Sequence, residues 1–211
     1  MPRAAVHMKI RDFGYLPQKS EVSHRFYINN EGTEPLVITK IKPGCSCTSV
    51  TKIEKPIPPG DSAAIDVTFK TGRYHQQVRK TTYVLTDDHK RPELTLNIQA
   101  YIYQNNEVAG PVMLTPNKLT IRKTDDRYSF ENGTVTVTNE SADTLKVTVK
   151  YLPDKYIALE SFPEWLAPGQ TASIRLSVRE NAIDENISGL ACTLAFSATD
   201  TTLVTVPLEI N

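Results

Sequence analysis

The chain has 211 residues, with 24 Lys and Arg balanced by 24 Asp and Glu. A net charge of zero excludes a global field that would draw the protein onto nucleic acid or an anionic membrane surface. No stretch approaches the roughly 18 consecutive apolar residues of a membrane-spanning helix, and three cysteines are too few for a disulfide scaffold.

From the first residue onward, short segments of period two are separated by turn signals. Val22, His24, Phe26 and Ile28 alternate with polar neighbours and end at the turn Asn30-Glu31-Gly32. Pro58-Pro59-Gly60 introduces Ala63, Ile65, Val67 and Phe69, and Asp87-Asp88 separates a strand ending at Leu85 from one starting at Leu94. In the second half Leu145, Val147, Val149 and Tyr151 alternate, Ala167-Pro168-Gly169 makes a turn, and Leu190, Cys192, Leu194 and Phe196 alternate again. Each segment has one apolar and one polar face, as an antiparallel sheet with one wet side requires. No segment sustains a helical stripe.

The segments recur. Pro59-Gly60 with its following alternation, Ala63 to Phe69, matches Pro168-Gly169 with Ala172 to Val178 at an offset of 109. Phe26–Glu31 answers to Val135–Glu140, and pairing Asn29 with Asn139 gives an offset of 110, as does Leu94, Leu96, Ile98 against Val204, Val206, Leu208. One β-domain therefore occurs twice. With about seven strands per hundred residues, the expected fold is all-β: two tandem immunoglobulin-like antiparallel β-sandwiches. The boundaries fall at residues 1–104 and 111–211, with polar Gln104 to Gly110 as the linker before Pro111. No Cys…Trp…Cys spacing is present, so the inter-sheet disulfide of antibody domains is not expected. Residues 1–104 carry a net charge of +5 and residues 105–211 a net charge of −5. This is either the ordinary surface of two neighbouring domains or the means of head-to-tail self-association.

An ordered set of motifs adds to this reading: Asp12-Phe13-Gly14, Val22 to Phe26, Asn29 to Gly32, Pro35-Leu36, Ile41-Lys42-Pro43-Gly44-Cys45-Ser46-Cys47-Thr48, Pro56 to Gly60 and Thr71-Gly72. Over about residues 8–104 it resembles the bacterial DUF1573 family. The resemblance implies an Ig-like domain similar to the ASH/MSP group, frequent export in bacteria and no attached catalytic activity. The second half resembles a diverged Ig-like copy without the Cys-x-Cys element.

Chemistry beyond packing is conceivable at Cys45 and Cys47. Two residues apart on an extended strand, their sulfurs share a face. As thiolates they could hold a soft metal such as Cu(I) or Zn(II), with inward-facing His24 as third ligand. As a disulfide they would close an eleven-membered ring, strained, easily reduced and able to exchange with a partner's thiols. As small buried residues beside a turn they would only pack. Cys192 lies on an apolar face and is expected to be inert core.

Asp87-Asp88-His89 is expected to be a hairpin turn, because Asp favours turns for backbone reasons. Arg73, His75, Arg79 and Lys80 form a basic group suited to an acidic partner, or to solvating a strand face. Trp165, the single tryptophan, either anchors a partner or plugs one end of the second sandwich. The sequons at Asn132, Asn139 and Asn186 matter only in a eukaryotic secreted protein. Neither a nucleophile elbow nor a phosphate loop nor a dinucleotide fingerprint is present, so no enzyme activity is expected.

The expected function is a non-enzymatic protein-binding, scaffold or assembly subunit of the bacterial cell envelope, with a protein partner or its own copies and no nucleic acid. Met1 to Ala5 has no apolar signal core behind it. A periplasmic, envelope or extracellular location after signal removal is implied by the resemblance, and the sequence leaves the cytoplasm open. The competing function is a soft-metal or thiol-redox carrier using the Cys-x-Cys element.

Overall fold

The computed structural model describes residues 1–104, 107–124, 127–179 and 187–211. Among them there is no helix, and the strands follow in two series. The first is β1 (Ala4–Ala5), β2 (Ile10–Pro17), β3 (Glu21–Asn30), β4 (Ile38–Pro43), β5 (Thr48–Val50), β6 (Ser62–Lys70), β7 (Gln76–Thr86) and β8 (Glu93–Tyr103). The second is β9 (Val112–Thr115), β10 (Leu119–Thr124), β11 (Arg127–Phe130), β12 (Thr134–Asn139), β13 (Leu145–Tyr151), β14 (Ile157–Ser161), β15 (Trp165–Leu166), β16 (Thr171–Val178), β17 (Leu190–Ser197) and β18 (Thr201–Ile210).

Two compact units form. The first comprises Met1–Asp12, Ser23–Lys70 and Arg79–Gln99, and the second Phe13–Val22, Thr71–Val78 and Ala100–Asn211. This division interleaves along the chain, whereas the repeat in the sequence divides it once, between 104 and 111. In the first unit one sheet has the order β1-β3-β6-β5, and β4 pairs antiparallel with β7 in the other. Alternate residues of β3 and β6, namely Phe26, Ile28, Ile65, Val67 and Phe69, are buried with Leu36, Val84, Leu96 and Ile98. Period two in the sequence thus becomes one buried face in the sheet.

In the second unit the sheet β14-β16-β12-β9 faces a core shared with β13, β17 and β18. Val135, Val137, Ile174 and Leu176 meet Leu145, Val147, Leu194, Phe196 and Val204 in that core. Strand β17 differs from the expectation of one wet face, since Leu190 through Phe196 are all buried. Its outward residues are Ala191, Thr193 and Ala195, and they lie beneath further chain of the same unit. Thr193 and Thr205 exchange a 2.9 Å hydroxyl hydrogen bond, and Thr205 donates to the Phe13 carbonyl at 2.6 Å. Tyr15 pairs in parallel with Val204, and Gly14 takes φ +61° where an added Cβ would overlap the Leu203 carbonyl. Small side chains on the second face permit this close approach. Within the segment expected to be a polar linker, Ala109 is fully buried and its N–H donates to the Val112 carbonyl at 2.7 Å.

The repeat is written most clearly in two buried asparagines. Asn30 ends β3, and its side-chain amide donates to the carbonyls of Glu34 (2.7 Å) and Ile57 (2.9 Å), while its Oδ1 accepts from Gly32 N–H at 3.0 Å. Asn139 ends β12 and donates to Asp143 (2.8 Å) and Leu166 (2.9 Å), while its Oδ1 accepts from Ser141 N–H at 2.9 Å. The main chains agree as well: Gly60 donates to Asn30 as Gly169 does to Asn139, each at 2.9 Å. Every partner is displaced by 109 positions. The sequence pairing of Asn29 with Asn139 is therefore corrected by one residue, because the conserved bonding fixes Asn30 as the counterpart. Asn139 is also the residue of one sequon, and its amide is fully engaged and buried. Asn186 lies outside the described residues.

Candidate functional site

The turn between β4 and β5 carries the cysteine pair. Gly44 N–H donates to the Thr81 carbonyl at 2.9 Å, and an added Cβ at Gly44 would stand 2.6 Å from that oxygen, so the chain can pass here only without a side chain. Past this anchor Cys45 and Cys47 form a disulfide with their Cα atoms 5.3 Å apart. Lys70 N–H donates to the Cys47 carbonyl at 2.9 Å, which ties the end of the turn to β6. The Thr48 hydroxyl lies 3.3 Å from Cys45 Sγ and 3.9 Å from Cys47 Sγ. Both cysteines are half-buried between exposed Gly44 and Ser46.

The expected soft-metal site on Cys45, Cys47 and His24 is corrected by this bond, since Cu(I) or Zn(II) binds thiolates and both sulfurs are oxidised. Among the described residues no group of three or more His, Cys, Asp and Glu could hold a metal ion. His24 does lie on the inward parity of β3, half-buried, with its ring edge-on to Phe26 at 4.6 Å. Burial chiefly, and the Arg11 charge next, push its pKa down to about 4, against the opposing pull of Asp66. The imidazole is neutral at physiological pH. Cys192 is buried core as expected, and burial pushes its thiol up to about 12.

The basic group is divided between the two units. Arg73 and His75 belong to the second unit, Arg79 and Lys80 to the first. His75 faces Glu107 at 3.6 Å, and the Arg79 guanidinium donates to Asn97 Oδ1 at 3.1 Å.

Trp165 does not plug the sandwich. It stands on β15, 51% exposed, with Lys146 Nζ 5.5 Å from its ring centroid. The plug is its neighbour Leu166, which is fully buried. Phe162, 41% exposed, precedes it on the connection from β14. Strands β14 and β15 each end a sheet order, so this connection joins two sheet edges. Displaced by 109 positions, Phe162 and Trp165 correspond to Ile53 and Pro56. In the first unit these two line a surface groove with Lys52, Lys55 and Pro58.

Three polar residues matter more than their sequence context suggests. Asp88 is buried in the β7–β8 turn, where it accepts hydrogen bonds from Ala4 N–H and Lys90 N–H, each at 2.9 Å. Burial opposes its charge, yet the backbone N–H groups of Ala4, Lys90 and Arg91 and the Arg91 guanidinium hold its carboxyl below the usual range. The turn was expected; the anchoring of β1 across 84 residues was not. Asn30 was visible only as a turn residue and Asn139 as a repeat position and sequon, although the Asn-Glu that follows each alternating segment offered the signal.

Comparison with curated proteins gives no match. Among solved structures, a protein of unknown function from Porphyromonas gingivalis W83 is 13% identical, with 98% of this chain and 99% of that one covered and a TM-score of 0.40. The ASH/PapD-like domain 7 of human CEP192 is 12% identical, with 49% and 87% covered and a TM-score of 0.37. The Vibrio cholerae VesB protease is 16% identical over 47% of this chain, with a TM-score of 0.40, and the match spans about a third of that protein, 31%. Residues 5–102 match the family model described as "Protein of unknown function (DUF1573)".

Proposed function

We propose that the protein is a non-enzymatic assembly or scaffold subunit of the bacterial cell envelope, binding protein partners through the corner formed by Phe162 and Trp165. The observation that carries this reading is the exposure of both aromatics on a connection between two sheet-edge strands. Large aromatics supply contact area at low entropy cost, and unpaired edges accept an added strand.

The partner this surface fits is a second copy. Exposed Glu160 and Glu164 flank the aromatics, whereas Lys52 and Lys55 outnumber Glu54 around the groove of Ile53, Pro56 and Pro58. An aromatic corner on one molecule and a basic-rimmed apolar groove on the next make a heterologous contact that repeats head to tail. An oxidised Cys45–Cys47 pair supports an exported location, because disulfides persist in oxidising compartments. Sedimentation of the purified chain across protein concentration, at low and high salt, tests the proposal. Oligomers that dissociate with salt and vanish in a Phe162→Ala/Trp165→Ala variant are expected. A chain that stays monomeric at high concentration and low salt, and retains no envelope protein, refutes it.

A further inference from the structure

The repeat supplies an internal control for the cysteine pair. In the second unit the corresponding connection runs from β13 to β14 with Asp154 and Tyr156 at the cysteine positions. Its internal bonds differ, since Tyr156 and Ile157 N–H donate to the Pro153 carbonyl at 2.8 and 2.9 Å where Thr48 N–H donates to Cys45 at 3.3 Å, yet the strand that follows is placed in the same way without sulfur. Arg179 N–H donates to the Tyr156 carbonyl at 2.8 Å, as Lys70 N–H does to Cys47. Ile157 pairs with Val178 and Leu159 with Leu176, the counterparts of Thr48 with Phe69 and Val50 with Val67. The register of the strand after the connection therefore forms without a disulfide. A bond closing so short a loop also removes little entropy from the unfolded chain. Packing and stability leave the pair unexplained, while thiol chemistry uses what is there.

We propose that Cys45–Cys47 is a thiol–disulfide exchange site that takes two electrons from the dithiol of another protein. A thiolate of the partner attacks Cys47 Sγ, forming a mixed disulfide and breaking the Cys45–Cys47 bond. Cys45 leaves as the thiolate, because the Thr48 hydroxyl is nearer to its sulfur, at 3.3 against 3.9 Å, and can donate to the developing charge. The partner's second thiolate then attacks its own bonded sulfur and releases Cys47. The partner ends with one disulfide, and its two protons reside on Cys45 and Cys47. The site stands at the start of β5, which ends the sheet order β1-β3-β6-β5, so an extended partner segment can approach along that edge. The Gly44–Thr81 and Lys70–Cys47 backbone bonds hold the turn while the pair is open. Cys192, buried in the other unit, does not enter the exchange.

The test uses the full chain under native conditions, with dithiothreitol as the reducing dithiol and oxidised glutathione as a reference substrate. Acid quenching, alkylation and intact mass follow the gain of two hydrogens. Opening at least roughly tenfold faster than that of oxidised glutathione is expected, with reclosure when oxidant is restored. With reduced glutathione as probe, the trapped adduct should map to Cys47. A rate no faster than the reference, or opening only in urea, overturns the proposal, and an adduct on Cys45 overturns the assigned direction. The Cys45→Ser/Cys47→Ser variant should keep the native circular dichroism and melting behaviour; its unfolding would assign the pair to structure and sink the exchange role.

Discussion

Replacing Asn139 by alanine should destabilise the second unit far more than a surface change would. The side chain donates to two carbonyls, Asp143 at 2.8 Å and Leu166 at 2.9 Å, and its Oδ1 accepts from the Ser141 backbone at 2.9 Å and the Ser141 hydroxyl at 2.7 Å. Each bond contributes about 1 kcal/mol net, and a buried carbonyl left without its donor costs more. Solvent can replace the bonds to Ser141 and Asp143, near the surface, so the expected loss is about 2–4 kcal/mol. Trp165 adjoins Leu166 and reports on the second unit alone, so its fluorescence in a urea titration is the appropriate assay. With a slope of about 1–2 kcal/mol/M the midpoint should fall by roughly 1–4 M. Asn139→Asp, which keeps the acceptor and removes the donor, should lose at least as much. Asn30→Ala should leave the tryptophan transition in place and lower the transition seen by far-ultraviolet circular dichroism. A shift below about 0.5 kcal/mol for Asn139→Ala, or loss of the tryptophan signal in Asn30→Ala at the same urea as in Asn139→Ala, would refute the argument.

Asp88→Asn should release β1 and cost about 1–3 kcal/mol at neutral pH, read by faster amide exchange at Ala4. Because its folded pKa is depressed, the contribution of Asp88 is present above the unfolded value of about 3.9 and is lost as pH falls through the folded one. His24 acts in a higher window. Its pKa of about 4 lies below the unfolded value of about 6.5, so stability is complete above the latter and declines as pH falls between them, by about 1–2 kcal/mol after allowance for partial exposure. Titrating urea midpoints of wild type and His24→Gln between pH 7 and 4 should show that slope only in the wild type. Gly14→Ala should cost about 3 kcal/mol or more in the second unit, because the left-handed backbone and the Leu203 carbonyl both reject a Cβ; an unchanged melting midpoint would show that β18 yields.

The sandwich was legible because period two and Pro-Gly turns are local signals, and the strands around Phe26, Ile65 and Ile174 bury the residues that the alternation selects. Burial of the second face of β17 was not, since Thr193 and Ala195 are ordinary residues for a wet face, and only the distant Phe13 carbonyl makes Thr205 an interior group. At the candidate site, spacing put Cys45 and Cys47 on one face but could not choose between thiolates and a bond. Trp165 looked more fit to be a plug than an anchor, because one residue of register decides between it and Leu166. For the basic group, adjacency in the chain between Thr71 and Lys80 conceals the crossing from one unit to the other at Arg79.

The hydrogen bond from Thr205 to Phe13 joins residues 192 positions apart, and this sets a clock during synthesis. A ribosome adding about 5–20 residues per second takes roughly 10–40 s to produce β18 after Phe13 has emerged. Throughout that interval the Phe13–Val22 segment has no β18 to lie against, although the chain on either side of it belongs to the first unit, whose residues are all made once Gln99 is added. The two units therefore cannot mature in simple succession from the N-terminus. The second closes only when the last strand of the chain returns to one of the first, and until then its exposed backbone is a natural client for a holdase.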